Sequence, residues 1–330
     1  MTFSIAISLV VYNGEKYLEE CLRSIKSQTY RDFSLTVLDN ASTDSSLAVV
    51  RRTYPDCTII REKENTGFAR AHNRVIRDTL SDAILILNQD CVLDPGYIER
   101  CVDVLIHNDL CASLTGVLYR TDTLTATPSA GTLDTLGLGL SRTFHIKNCF
   151  AGKKFLYLPH EPFTMFGVSA TAALYRRSAL EDIAIPRDGS IEYFDEDFFM
   201  YKEDVDLAFR LYRQGWTAFC QPSARGYHVR STTSALLVRN NAWINRISYR
   251  NHWWFLWKNI DGPLLVRYGF FIAFYEAAKF LYLFIFEHNT VRGLWDAWRL
   301  RTVMLAKRAS ILNKRKHVHQ KTHIQFGCKI

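Results

Sequence analysis

The chain has 330 residues, 48% of them apolar and 13% aromatic, which suffices for one large domain with a substantial core plus an appendage. Its eight cysteines (positions 21, 57, 91, 101, 111, 149, 220 and 328) include no C-x-x-C pair and no tight cluster, which excludes a zinc ribbon and suggests free, often buried thiols in a reducing compartment. The formal charge of +8 is uneven: from Arg292 onward ten Lys or Arg face one acid, Asp296, so the rest of the chain is close to neutral, and a basic tail on a neutral body points to an anionic surface, either membrane lipid or nucleic acid.

The N-terminus enters a strand almost at once, Ile5 to Val11, with no basic leader and no cleavable signal. Gly14 to Ser27 then places Tyr17, Leu18, Cys21, Leu22 and Ile25 at helical spacing. Phe33 to Leu38 predicts a second strand ending on Asp39, and Ser42 and Asp44 can cap a helix over Ser45 to Thr53. A short third strand, Cys57 to Ile60, precedes a helix over Gly67 to Leu80. Ala83 to Leu87 is an unbroken apolar run, which cannot alternate faces and so predicts a strand buried on both sides. Strands separated by helices at this spacing predict a parallel, doubly wound α/β sheet.

Each of these strands is followed by polar residues: Tyr12-Asn13, Asp39-Asn40, Asn65-Thr66-Gly67 and Asn88-Gln89-Asp90. One such ending is no more than a turn. Four on one edge, where open α/β sheets bind their ligands, predict a polar ligand site. Asp39 can bind ribose hydroxyls or a base edge. Gly67 opens a helix whose amides can approach a phosphate. Asp90 can hold a metal or a polar ligand. No Walker A sequence and no G-x-G-x-x-G occurs, which argues against a P-loop NTPase and a standard dinucleotide fold.

In the second half, Phe198-Phe199-Met200-Tyr201 leads into Glu203-Asp204-Val205-Asp206 at the start of a helix. Acids there suit the helix dipole, which is a structural reason for them. The aromatic block also predicts a partly desolvated carboxylate tuned as a base. Phe166 to Arg177 reads as a tightly packed strand with a basic pair at its end. His228 stands alone in an otherwise apolar strand, Ala224 to Val229, as a structural residue or a ligand.

Val10-Val11-Tyr12-Asn13, Asp39-Asn40-Ala41-Ser42-Thr43-Asp44, Asn65-Thr66-Gly67-Phe68-Ala69 with Asn73, and Leu87-Asn88-Gln89-Asp90 together resemble the family 2 glycosyltransferases, above all the bacterial rhamnosyltransferase-like members that build cell-surface polysaccharides. The resemblance spans roughly residues 3–260. It implies a GT-A catalytic domain over 1–235, with a nucleotide-sugar part at 1–120 and an acceptor and catalytic part at 121–235. It implies that Val11, Asn13, Asp39, Asn40, Asn65, Gly67, Phe68, Asn73 and Asn88 face the donor. Asp90 closes the segment equivalent to the family's Asp-x-Asp metal motif, with Asn88 in place of the first Asp. His228 then completes the shell of a divalent ion, Mg²⁺ or Mn²⁺. Glu203-Asp204-Val205-Asp206 resembles the Glu-Asp-x-Asp motif, in which the residue matching Asp204 is the base; Glu203 is the second candidate. The implied reaction is an inverting transfer from a nucleotide-diphosphate sugar, with dTDP-rhamnose the leading donor, to a saccharide or polyprenyl-linked saccharide. The competing reading is a non-catalytic saccharide- or nucleotide-binding protein on the same scaffold, prompted by Asn88 and opposed by Asp90, Asp204 and His228.

Residues 236–330 predict a helical region. Arg239, Arg246, Arg250 and Lys258 mix with Trp243, Trp253, Trp254 and Trp257, and Arg250-Asn251-His252 resembles a segment of the rhamnosyltransferase-like branch. Leu264 to Phe286 is long enough to span a bilayer. Glu276 and Lys279 near its middle cost about 2.5–3.5 kcal/mol each, which nearly cancels the apolar gain. Together with Trp295, Trp298, Arg299, Arg301 and Lys314 to Lys316, the pattern predicts helices lying on the inner face of the cytoplasmic membrane. Packing on the catalytic core or in a homo-oligomer is the competing reading. Nucleic acid is not an expected partner, because no nucleic-acid fold accompanies the basic tail.

Overall fold

A computed structural model describes residues 3–122, 131–154, 157–187, 189–229, 241–314 and 326–328. Arg239, Arg315 and Lys316 of the expected basic surface lie outside the described residues. The chain opens with β1 (Ile5–Val11), α1 (Glu15–Lys26), β2 (Phe33–Asp39), α2 (Ser46–Thr53), β3 (Thr58–Arg61), α3 (Gly67–Asp78) and β4 (Ala83–Asn88), close to the expected boundaries. These strands pair in parallel in the order β3-β2-β1-β4. From Ala83 to Leu87, β4 is buried throughout, as its unbroken apolar run requires. The chain leaves β1 toward β2 on one side and returns to β4 on the other. The crevice for ligands therefore opens between the carboxyl ends of β1 and β4. Gln89 ties this edge together: its amide exchanges two 3.0 Å hydrogen bonds with the backbone of Tyr12. Gly14 makes room for it, since a Cβ there would lie 2.2 Å from Gln89 Oε1.

The second half adds β5 (Cys91–Leu93), α4 (Tyr97–Ile106), β6 (Cys111–Thr121), β7 (Leu133–Thr135), β8 (Leu138–Leu140), β9 (Ile146–Asn148), β10 (Phe163–Met165), β11 (Ala172–Arg176), α5 (Arg177–Ile183), β12 (Ile185–Arg187), β13 (Ser190–Glu192), α6 (Glu203–Arg213) and β14 (Thr217–Val229). The strand expected from Phe166 is shorter than predicted, and β11 runs antiparallel between β4 and β6. β14 lies parallel to β6, with β10 on the outer edge. The result is a mixed α/β architecture whose central sheet is mostly parallel and flanked by helices.

Four helices follow: α7 (Ala242–Asn259), α8 (Gly262–Phe286), α9 (His288–Arg299) and α10 (Arg301–Asn313). α7 and α10 dock on the catalytic body through a buried ionic network. Lys258 Nζ lies 2.5 Å from Asp195 and 2.8 Å from Asp206 of α6. Lys307 Nζ lies 2.5 Å from both Glu192 and Asp195 and 2.7 Å from Asp197. Burial alone would raise the Asp195 carboxyl; the two lysines hold it far below the usual range. Cys149 and Cys328 form a disulfide, which corrects the expectation of free thiols throughout. The partners are 179 positions apart, so no local spacing could reveal them; the other six are free.

Removing one partner of a buried ion network leaves its counter-charges stranded. We expect Lys307→Met to lower the unfolding free energy by about 3–5 kcal/mol, read from denaturant unfolding. An unchanged midpoint would mean that the network sets only the docking register.

Candidate active site

A cleft of about 630 Å³ opens at the predicted sheet edge. Asn88 and Asp90 reach it from the end of β4, Arg120 from β6, His228 from β14, Ser169 to Thr171 from the turn before β11, and Met200 to Asp204 from the start of α6. Residues scattered over the whole catalytic body thus converge because the strands carrying them are neighbours in one sheet.

His228 stands beside Asp90 because β14 pairs antiparallel with β5, His228 opposite Cys91, and Val229 N donates to Asp90 O at 3.0 Å. Its Nε2 faces Asp90 Oδ1 at 3.3 Å, and its Nδ1 bonds Asp134 Oδ2 at 2.9 Å. Burial disfavours the imidazolium, but the bonds to Asp134 and Asp90 outweigh it and raise His228 to about 9. Asp134 is completely buried and cannot act on a ligand directly. A carboxylate on one ring nitrogen, with the other aimed at a ligand carboxylate, is the arrangement that orients metal-binding histidines. The donor set therefore fits a divalent ion held by Asp90 and His228. Among the described residues no group of three or more such side chains forms a closed cage, so further ligands must come from substrate or water.

The other wall is the N-terminus of α6. Burial, then the charge of Asp204, raises Glu203 to about 8. Burial also raises Asp204, while amide bonds from Val205 N (2.8 Å) and Ala170 N (3.5 Å) favour its charged form. Of the two, Glu203 is the one held neutral at pH 7, and the amide bonds favour the charged form of Asp204 over that of its neighbour. Glu203 Oε2 is buried without a hydrogen-bond partner, as suits a neutral carboxyl better than an anion.

The approach to α6 is strained. Phe199, Tyr201 and Lys202 all have left-handed φ, at 64°, 68° and 73°. Asn251 of α7 holds them there: its amide donates to the carbonyls of Phe198 (2.9 Å), Met200 (2.9 Å) and Tyr201 (2.7 Å). Arg250 donates to Asp197 O and Phe198 O and stacks over Trp254 at 4.1 Å. The N-terminus of α3 accepts the same loop, with Phe68 N donating to Phe199 O at 2.7 Å. Gly67 permits this approach, since a Cβ there would lie 2.5 Å from the Phe199 ring.

Of the residues expected at the site, Phe68, Asn88, Asp90, Glu203, Asp204 and His228 line this cleft. Val11, Asn13 and Asp39 gather at the adjoining ends of β1 and β2. There Asn13 Oδ1 accepts from Thr43 N, and Asp39 Oδ1 from Ser42 N. Asn40 and Asn73, expected at the donor, are instead buried braces. Asn40 binds Asn65, Thr66 and Gly67, which shapes the turn into α3. Asn73 bonds the backbone of Tyr193 and Phe194. Asn65 likewise caps Gly67 N. The sequence reading missed Arg120, Asp134, Asn148 and Lys202. Asp134 and Asn148 lie in a stretch with no interpretable pattern; only Lys202, next to Glu203, carried a signal.

The chain is 27% identical over 253 residues to an N-acetylglucosaminyl-diphospho-decaprenol L-rhamnosyltransferase of Mycobacterium tuberculosis, covering 69% of this chain and 76% of that protein. It is 30% identical over 101 residues to a chondroitin synthase of Escherichia coli, covering 30% and 15%. Among solved structures, GalNAc-T7 with UDP, GalNAc and Mn²⁺ shares the fold at 12% identity and a TM-score of 0.59, over 77% of this chain and 47% of that one. TarS of S. aureus does so at 14% and 0.51, over 94% and 54%. A model of glycosyl transferase family 2 matches residues 6–184, more than half of the chain. With the cleft at the end of β4 and this match across the strands that build it, the chain belongs to glycosyl transferase family 2 and is a glycosyltransferase of GT-A fold.

Proposed function

We propose that the protein transfers a sugar, with inversion, from a nucleotide-diphosphate sugar to a saccharide or polyprenyl-linked saccharide during cell-surface polysaccharide synthesis. One observation carries this reading: Asp90 with His228, and Asp204 with its two amide donors, occupy the same cleft. The likeness to a rhamnosyltransferase that acts on a decaprenol-linked sugar favours a rhamnosyl donor, dTDP-rhamnose, and a lipid-linked acceptor.

Asp90 and His228 would hold the divalent ion, Mg²⁺ or Mn²⁺, with Asp134 orienting the imidazole. A bound ion supplies Lewis-acid stabilisation of the departing diphosphate. Asp204 accepts the acceptor hydroxyl's proton as that oxygen attacks the anomeric carbon. The new glycosidic bond forms on one face while the bond to the diphosphate breaks on the other, so the configuration inverts. Glu203, pushed up by burial and by the charge of Asp204, keeps its proton and leaves Asp204 to act as the base. Asn251 and Gly67 keep the strained loop, and with it the start of α6, in place.

The same reading puts the protein on the cytoplasmic membrane surface. α8 is a 25-residue helix whose most apolar stretch has a mean hydropathy of 1.6 and is only 17% buried. Its inward stripe is Leu264, Tyr268, Ile272, Glu276 and Leu283, with Glu276 Oε1 bound by His252 Nε2 at 2.6 Å. The charge that would oppose lipid is thus turned into the protein, while Phe270, Phe274, Leu281 and Phe284 face outward. A helix docked along one side on the catalytic body lies in the interface rather than across it. Exposed Trp295 and Trp298, with Arg301 over the Trp298 ring at 4.3 Å, extend the surface toward anionic headgroups.

Three outcomes test these readings. With nucleotide sugars screened in Mn²⁺ and Mg²⁺, Asp204→Asn should lower kcat by about 10²–10⁴-fold. Glu203→Gln, which mimics a carboxyl already neutral at pH 7, should stay within about tenfold; the reverse ranking would make Glu203 the base. Since Asp204 must be ionised to act, kcat/KM should fall as pH drops through its raised value, above the usual carboxyl range near ~4. An acid limb at or below that range would contradict a buried base. Finally, Phe270→Glu with Phe274→Glu should release the protein from phosphatidylglycerol vesicles while donor binding persists, and alkaline carbonate should strip the wild type from membranes. Resistance to carbonate would mean that α8 spans the bilayer.

A further inference from the structure

The wall of the cleft that carries His228 also carries an arginine with no partner. Arg120 lines the cleft from the end of β6. β6 runs parallel to β14, and the ladder sets Arg120 directly beside His228. Register partners on neighbouring strands point to the same face of a sheet, so the guanidinium and the imidazole enter the cleft from the same side. The backbone beneath it is fixed, with Arg120 N donating to Thr132 O at 2.8 Å. The side chain is not tied. Among the described residues Arg120 makes no ion pair and no side-chain hydrogen bond, and its Nε is buried without a partner. Arg176, Arg177 and Arg210, also buried or half-buried, each bind carbonyls or a carboxylate. A planar fork of donors held part-way into a protein with nothing to bind is unfavourable unless a ligand supplies acceptors.

The position of Arg120 identifies the acceptors. Glu203 and Asp204 form the wall where the attacking hydroxyl loses its proton, and Arg120 belongs to the other wall, with His228 and Asp90. In an in-line displacement the leaving group departs from the face opposite the attack, so a donor fork on this wall meets the departing diphosphate. A guanidinium matches phosphate oxygens with two parallel N–H donors and stays charged at any working pH. The charge balance points the same way. A divalent ion at this site would be partly neutralised by Asp90, which leaves much of a diphosphate's charge for another cation. We propose that Arg120 binds the diphosphate of the nucleotide-sugar donor beside the metal site, so that nucleotide binding does not depend on the ion alone. This rests on the transferase reading above and adds a donor-binding residue to it.

The test measures dTDP, UDP and GDP by calorimetry against the wild type, Arg120→Met and Arg120→Lys, in EDTA and again in Mn²⁺. The wild type should bind at least one of these nucleotides in EDTA. Arg120→Met should weaken that binding about tenfold or more, as the loss of hydrogen bonds to a charged group requires, and should do so in Mn²⁺ as well. Arg120→Lys should recover only part of it, because an ammonium lacks the fork. The matching nucleoside, which has no phosphate, should bind all three proteins alike. In turnover, kcat/KM for the donor should fall while KM for the acceptor holds. Wild-type binding that is present in Mn²⁺ and lost entirely in EDTA would leave the diphosphate to the ion alone and overturn the inference, and this arm needs no variant. Equal nucleotide affinity in wild type and Arg120→Met, an equal loss for the nucleoside, or a defect confined to the acceptor's KM would overturn it too. These outcomes sink this inference alone, whereas a wild type that binds no nucleoside diphosphate in either condition would sink the donor reading and this inference with it.

Discussion

The buried carboxylates Asp195 and Asp206, joined by Lys258 and with Asp195 bound by Lys307 as well, are the interaction on which the rest of the site depends. Asp206 stands in the first turn of α6, where Lys258, Asn259 and Arg210 all bind it. It therefore faces away from the cleft, which leaves Glu203 and Asp204 to face the cleft side. One short acidic run serves two purposes because a helix turns its residues to different faces. A buried ion network is a poor source of net stability, since desolvation offsets most of the attraction. It is a strict source of position, because any other arrangement leaves a charge unpaired in the core.

Position is also what the strained loop before α6 requires. Three left-handed side-chain-bearing residues in one short segment would relax without support. Asn251 satisfies three of its carbonyls from a helix that is itself locked by Lys258. The C-terminal helix α7 thus holds the loop that leads into α6. Gly67 serves the same arrangement from the opposite side by letting Phe199 approach α3.

The cleft is lined by polar and charged groups, whereas the outer face of α8 is apolar. Asp90 and His228 line the cleft with Asp204, and exposed phenylalanines cover the outer surface of α8. Such a contrast suits a substrate that is a sugar at one end and a lipid at the other. The sequence of α8 is ambiguous because it is apolar on both sides: Leu264, Tyr268, Ile272 and Leu283 face the protein with Glu276, while Phe270, Phe274, Leu281 and Phe284 face outward.

The parallel half of the sheet was legible in the sequence, because an unbroken apolar run such as Ala83 to Leu87 and the helical spacing of Leu18, Cys21, Leu22 and Ile25 are local consequences of burial. The polar strand ends, Asp90 and the acids at the start of α6 were legible for the same reason, since chemistry at a strand or helix end needs no distant partner to be recognised. Roles were harder to read. Asn40 and Asn73 look like ligands in sequence and are braces in space. Asp134 looks like nothing and orients His228. Arg120 and Lys202, far apart in the chain, both line the cleft. What the sequence determined by itself is the set of elements and the chemical groups at their ends, which follow from periodicity and burial. Only the tertiary structure decided which groups face each other, because strand order in the sheet and the docking of α7, α8 and α10 are set by long-range packing that leaves no local mark.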